Sequence, residues 1–141
     1  MAQCLCTPLL LLAALALTLA QVVSSQRNSR VGAPWDADVN DEDVQKALTF
    51  ALSEYNKASN DENHSRVLRV EGARKQVVAG MNYFLNVEIG RTKCTKSEPN
   101  LESCPFYEQP DLLRKKLCFF QIHTIPWVQE KSVVKSHCHD A

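Results

Sequence analysis

The sequence predicts an α+β domain in which one long amphipathic helix lies on a twisted antiparallel β-sheet fastened by two disulfides. Three observations carry this. Apolar residues recur at helical spacing from Val44 to Tyr55, apolar and polar residues alternate from Met81 to Ile89, and Cys94, Cys104, Cys118 and Cys138 crowd into the C-terminal half. A period near 3.6 marks a helix with one apolar stripe, and a period of 2 marks a strand with one apolar face. A single helix followed by a meander of strands buries its stripe on one face of that sheet.

With 141 residues, the chain suffices for one domain of roughly a hundred residues once a leader is removed. Residues 1–20 contain the apolar run Pro8 to Ala20, too short for a membrane anchor, and the small residues Thr18 and Ala20 suit a signal peptidase. A signal peptide cut between residues 20 and 25 is expected, followed by a polar, flexible arm over 26–34 and a folded domain over 35–141. The mature product is then secreted and extracellular, where thiols normally pair. Cys4 and Cys6 leave with the leader. Of the three connectivities open to the remaining cysteines, the sequential one, Cys94 with Cys104 and Cys118 with Cys138, closes two short loops without crossing and is the one expected.

Asn40 can cap a helix whose first turn holds Asp41, Glu42 and Asp43 at the positive end of the dipole. Val44, Ala47, Leu48, Ala51, Leu52 and Tyr55 then form its buried stripe over about five turns, ending between Lys57 and Asn60, where the sequence turns polar. Val67 to Val77 is rich in β-formers, and Met81, Tyr83, Leu85, Val87 and Ile89 face the core of the next strand. Phe84 points to the opposite face, where the disulfide-bearing loop is expected to cover it. Lys93 to Asp111, with three prolines, reads as an irregular excursion pinned by its own bridge. Leu117 to Ile125 and Val128 to Cys138 form a second strand pair around Pro126-Trp127.

Sixteen basic and sixteen acidic residues give a net charge of +0, so neither nucleic acid nor an anionic membrane is indicated as a partner. No C-x-x-C occurs, and His137-Cys138-His139 places neighbours on opposite sides of a strand, so no metal is expected. No cofactor is expected either. His64, His123, His137 and His139 are available for acid–base work, but no catalytic motif surrounds them and no free cysteine nucleophile remains, which argues against an enzyme.

The stretch Gln76-Val77-Val78-Ala79-Gly80 puts bare valines where two strands should turn. Exposed apolar residues at a hairpin tip gain about 25 cal/mol per Å² if another protein's cleft covers them. Gly80 supplies backbone freedom there. The alternative is that the protein's own loops cover the valines, and Trp127 behind Pro126 is open to the same two readings.

The order of these elements resembles the secreted, disulfide-containing type 2 cystatins, inhibitors of papain-like cysteine proteases. The resemblance spans the mature chain and rests on Gln76-Val77-Val78-Ala79-Gly80, which fits the family's Q-x-V-x-G hairpin, on Pro126-Trp127, on Gly32 in the arm and on the four cysteines in order. It implies a cystatin-like fold and reversible, tight-binding inhibition of cathepsins by a wedge made from the arm and two hairpin tips. Val31, Gly32, Gln76, Val77, Val78, Ala79, Gly80, Pro126 and Trp127 would be the protease-binding residues, with Gly32 as a hinge and Val31 filling an apolar subsite. Arg30 stands where the family commonly has an apolar residue, and Ala33 where a second glycine is frequent.

Ser59-Asn60-Asp61 matches the loop by which some type 2 cystatins inhibit legumain, an asparagine-specific protease, so Asn60 is a candidate for a second site. Asn63-His64-Ser65 is an N-glycosylation sequon whose glycan would crowd Asn60. The competing reading is a cystatin-fold secreted protein that has lost inhibition and serves as a binding or signalling module. The expected state is a monomer. If Gln76 to Gly80 is a strained hinge, helix and first strand can exchange between chains in a domain-swapped dimer.

Overall fold

The computed structural model describes residues 32–141, and the folded unit runs from Ala33 to Ala141. A two-residue strand β1 (Trp35–Asp36) precedes helix α1 (Glu42–Ala58). Two 16-residue strands follow, β2 (Asn63–Val78) and β3 (Gly80–Thr95). After the excursion, which carries the one-turn helix α2 (Pro110–Leu113), come β4 (Lys116–Ile125) and β5 (Glu130–Asp140). The five strands form one antiparallel sheet in chain order, β1-β2-β3-β4-β5. Register shifts at three places along β2 bend the strand and add local twist.

The predicted stripe is the one that packs. Val44, Ala47, Leu48, Ala51 and Leu52 are buried against Tyr83, Leu85, Val87 and Ile89 of β3 and Cys118, Phe120 and Ile122 of β4. Each fully buried aliphatic or aromatic side chain contributes on the order of 1.5–3 kcal/mol. Tyr55 meets Phe120 edge to face at 6.4 Å. The last buried helix position is polar: Asn56 donates to Leu52 O and Ser65 O, each at 3.0 Å, and accepts from Ser65 N at 2.9 Å. Its amide thus pairs with β2 as another strand would, and no buried polar group there goes unmatched.

At its other end α1 is held by a polar clamp. Lys75 Nζ of β2 reaches Asp43 at 2.6 Å and Asp41 at 3.4 Å, and the Tyr83 hydroxyl of β3 donates to Asp43 at 2.9 Å. Burial alone would raise the Asp43 carboxyl, but the bonds from Lys75 and Tyr83 outweigh it and hold its pKa below the ordinary value. Asp43 in turn raises the Lys75 ammonium. Burial, reinforced by Asp43, pushes the Tyr83 phenol up to about 12.

Two expectations need correction. The helix is capped by Asp41 rather than Asn40, and Asp41 acts through its backbone, accepting Gln45 N at 2.9 Å, with no side-chain cap. Asn40 instead donates its backbone N–H to Asp38 in the preceding turn. Phe84 is covered by Phe119 of the adjacent strand, their rings stacked at 6.4 Å, because Phe84 pairs with Gln121 and so lies one pleat from Phe119 on the outer face. The disulfide loop is not its cover.

Both bridges form as expected, Cys94 to Cys104 and Cys118 to Cys138. Each stabilises a domain of this size by about 2–4 kcal/mol. The first pins the excursion, and the second ties β5 to β4 at the edge of the core, with Cys118 buried and Cys138 packed against it.

The clamp predicts a stability plateau with two edges. Asp43 is depressed in the fold, so its contribution is complete above the ordinary carboxylate value of 3.8 and is lost as pH falls through the lower folded value. Lys75 and Tyr83 are raised, so theirs is complete below about pH 10 and is lost as pH climbs through their folded values, for Tyr83 about 12. Urea midpoints measured from pH 2 to 12 are expected to fall at both ends, and Tyr83→Phe is expected to flatten the alkaline edge.

Candidate functional site

The two hairpin tips lie side by side because β3 and β4 are neighbours and both turns fall at the same end of the sheet. In the first, Val77 pairs with Met81 and Val78 with Gly80, leaving Ala79 alone in the turn. Gly80 has φ +99°, and a Cβ on it would stand 2.3 Å from Thr124 O of β4. Glycine is therefore required twice over, by backbone sign and by space. Beside it, His123 Nε2 of β4 donates to Ala79 O at 2.8 Å. The first tip is braced against the strand that carries the second.

The second tip is a 3₁₀ turn over Pro126–Val128, closed by Gln129 at φ 56°. Val77 is 55% exposed, Val78 41% and Trp127 72%. These values exclude cover by the protein's own loops and a core indole, since either would be nearly inaccessible. Val128 is also exposed at 53%, and it joins the apolar tip although the sequence reading passed over it. Gln76 and Asn82 pair across the hairpin base, with Asn82 Nδ2 3.4 Å from Gln76 Oε1.

Val77 and Val78 sit in extended strand, and Gly80 is the one residue from 76 to 80 with positive φ. The strain expected at the valines is absent from their backbone, because the turn is made by the one residue that adopts positive φ without penalty.

Of the arm, Gly32 is exposed, and Val31 and everything before it lie outside the described residues, as does the expected signal peptide. Within the folded unit Trp35 pairs with Lys75 and Asp36 with Arg74. Ala33 and Pro34 continue from that pairing along β2 in the direction of the first tip.

The loop after α1 is a separate construction. Arg91 of β3 grips Asp61 with Nε at 2.6 Å and a second nitrogen at 3.1 Å. The same guanidinium donates to Asn63 Oδ1 at 2.9 Å and to Leu112 O at 3.1 Å. Burial would raise Asp61, but Arg91 outweighs it and holds the carboxyl below its ordinary value. Lys96 Nζ donates to Ser59 O at 2.6 Å, and Ser59 Oγ accepts Asp61 N at 3.1 Å. Asn60 stands exposed between two neighbours whose positions are fixed. A cavity of about 1020 Å³ opens behind this loop, between α1, β3 and β5, well away from the tips.

Asn63 is at odds with the sequon reading. Its Nδ2, the atom that would carry a glycan, donates to Thr92 O at 2.9 Å and to Tyr107 OH at 3.1 Å. With Oδ1 on Arg91, the whole side chain is spent in joining β2, β3 and the excursion. Protein secreted from a glycosylating cell is expected to keep its size after enzymatic removal of N-glycans. A size shift would show that the sequon is used at the expense of this network.

Cys94, Glu98 and Cys104 bring ligand-type atoms within 4.8 Å of one another, but both sulfurs are committed to a disulfide. Missed in the sequence were His123 and the Thr124 carbonyl, which no motif marks and only strand register could reveal.

A cystatin domain is matched over residues 32–127. Cystatin-C of Macaca mulatta is 56% identical and Cystatin-SA of Homo sapiens 54% identical, each alignment covering the whole of both chains. Among solved structures, dimeric human cystatin F superposes with a TM-score of 0.72 at 31% identity, covering 79% of this chain and 90% of that one. Motif order, sheet topology, disulfides and full-length similarity agree, and the chain belongs to the cystatin family as a type 2 member close to cystatin C.

Proposed function

We propose that this chain inhibits papain-like cysteine proteases, the cathepsins among them, reversibly, by inserting the paired hairpin tips and the N-terminal arm into the active-site cleft. The observation that carries the reading is the braced pair of apolar tips: Val77, Val78, Trp127 and Val128 are exposed, while His123 and the Gly80–Thr124 approach hold the turns beneath them. A preformed surface loses little conformational freedom on binding, and an indole stiffened by Pro126 is a typical anchor. No covalent step is involved. The wedge denies access to the catalytic thiol while presenting no scissile peptide in attack geometry, over an interface of about 1,600 Å² in total. Gln76, Ala79 and Gly80 contribute backbone and amide contacts at the tip, and Val31 and Gly32 extend the contact along the substrate subsites.

Secretion fits this reading, since the apolar leader and two disulfides belong to an oxidising export route. The inhibitor is the monomer. A domain swap that straightened 76–80 would merge β2 with β3 and erase the first tip.

A second reading, legumain inhibition through Asn60, is favoured by one observation: the exposed side chain is flanked by Ser59 and Asp61, both locked by hydrogen bonds. An asparagine so presented suits a pocket selective for asparagine, and it lies on a face distinct from the tips.

Paired substitutions separate the two sites. Trp127→Ala is expected to weaken papain binding by about 2 kcal/mol, roughly thirtyfold, with the thermal midpoint almost unchanged because exposed substitutions cost within about 0.5 kcal/mol. Asn60→Ala is expected to abolish legumain inhibition and leave papain inhibition intact. Fluorogenic titrations against both enzymes decide. Loss against both proteases from either substitution would contradict separate faces, and a protein inert toward papain would favour the signalling module.

A further inference from the structure

We propose that His137 and His139 form a two-histidine binding site for a transition-metal ion, Zn²⁺ or Cu²⁺, on the outer face of β5. Residues two apart on a strand share a face, and the two imidazoles stand with ring centres 6.0 Å apart and planes tilted by 36°. With metal–nitrogen bonds of about 2.0–2.1 Å, two imidazoles on one ion bring their ring centres to about 5–6 Å, so a small side-chain rotation completes the chelate. The residue between them, Cys138, points the other way and is bonded to Cys118. That bridge fixes the strand at the centre of the pair, and the ordering cost of chelation is correspondingly low.

The surroundings suit a hydrated, borderline-soft cation. His137 pairs with Phe119 and His139 with Leu117 on β4, giving the imidazoles an apolar flank. Both line a shallow cavity of about 360 Å³ whose far side holds Glu71 and Asn86. Imidazole selects Zn²⁺ and Cu²⁺ over the hard ions Mg²⁺ and Ca²⁺. The other two histidines are differently engaged. His123 is bonded to Ala79 O, and burial together with Arg66 and Lys96 pushes His64 below its ordinary pKa, an environment that repels a cation. The site is far along β5 from the hairpin tips and leaves them untouched.

The test is calorimetric titration of the untagged mature chain, disulfides intact, with ZnCl₂ and separately CuCl₂. One ion per chain is expected to bind saturably, Cu²⁺ more tightly than Zn²⁺, with CaCl₂ giving no heat of binding. His137→Gln and His139→Gln are each expected to weaken binding at least tenfold, whereas His64→Gln leaves it unchanged. Papain inhibition, read in parallel, is expected to be the same in wild type and in the His137→Gln, His139→Gln double variant, which shows that the variants are folded. No saturable binding by wild type, or binding that survives the double substitution, overturns the proposal. So does dependence on only one of the two residues, which marks a single surface imidazole.

Discussion

The approach of Gly80 to the Thr124 carbonyl is the constraint on which the working surface depends. It permits the β2–β3 turn to close within one residue and to press against β4, and His123 then bonds to the turn from the same strand. Two turns far apart in sequence thereby behave as one rigid edge. Any side chain at position 80 would meet backbone, which cannot swing aside as a side-chain end can. The exposed valines and Trp127 lose hydrophobic stabilisation in the free protein, and that loss is tolerable because the tips rest on a sheet whose core lies elsewhere.

That core is held in two independent ways at the two ends of the helix. Near the tips, Lys75, Asp43 and Tyr83 lock the first helical turn to β2 and β3. At the far end, Asn56 pairs with Ser65 and Arg91 gathers Asp61, Asn63 and Leu112. Charge-assisted, bidentate contacts of the Arg91 type are among the stronger polar interactions. Their separation from the tips leaves the Asn60 loop and the hairpin edge as distinct surfaces of a small domain, each supported by its own network.

Much of this was legible in the sequence because the dominant signals are periodic. The stripe from Val44 to Leu52 and the alternation from Tyr83 to Ile89 report burial directly, and both appear in the structure at those positions. Cysteine order gave the bridges, and the Q-x-V-x-G and Pro-Trp motifs marked the turns. What stayed hidden depends on register between strands. Stacking of Phe84 on Phe119 follows from which residues stand opposite one another, and so does the reach of His123 to Ala79. The sequon at Asn63 is a local pattern, whereas the engagement of its side chain by Thr92 and Tyr107 joins segments 29 and 44 residues away. The shared face of His137 and His139 likewise depends on strand geometry, which sets residues two apart side by side.

The central claim is that the braced double tip is the inhibitory surface, and titration of papain with the purified mature protein beside its Gly80→Ala variant tests it most directly. The left-handed conformation costs a residue with a Cβ about 1–2 kcal/mol, and overlap with packed atoms typically adds about 1–3 kcal/mol, so the first tip must shift while the core remains. The account predicts stoichiometric, reversible inhibition without cleavage by the wild type, and inhibition at least tenfold weaker by the variant with its native far-ultraviolet circular dichroism retained. Equal inhibition by a folded Gly80→Ala protein, or none by the wild type, would contradict it.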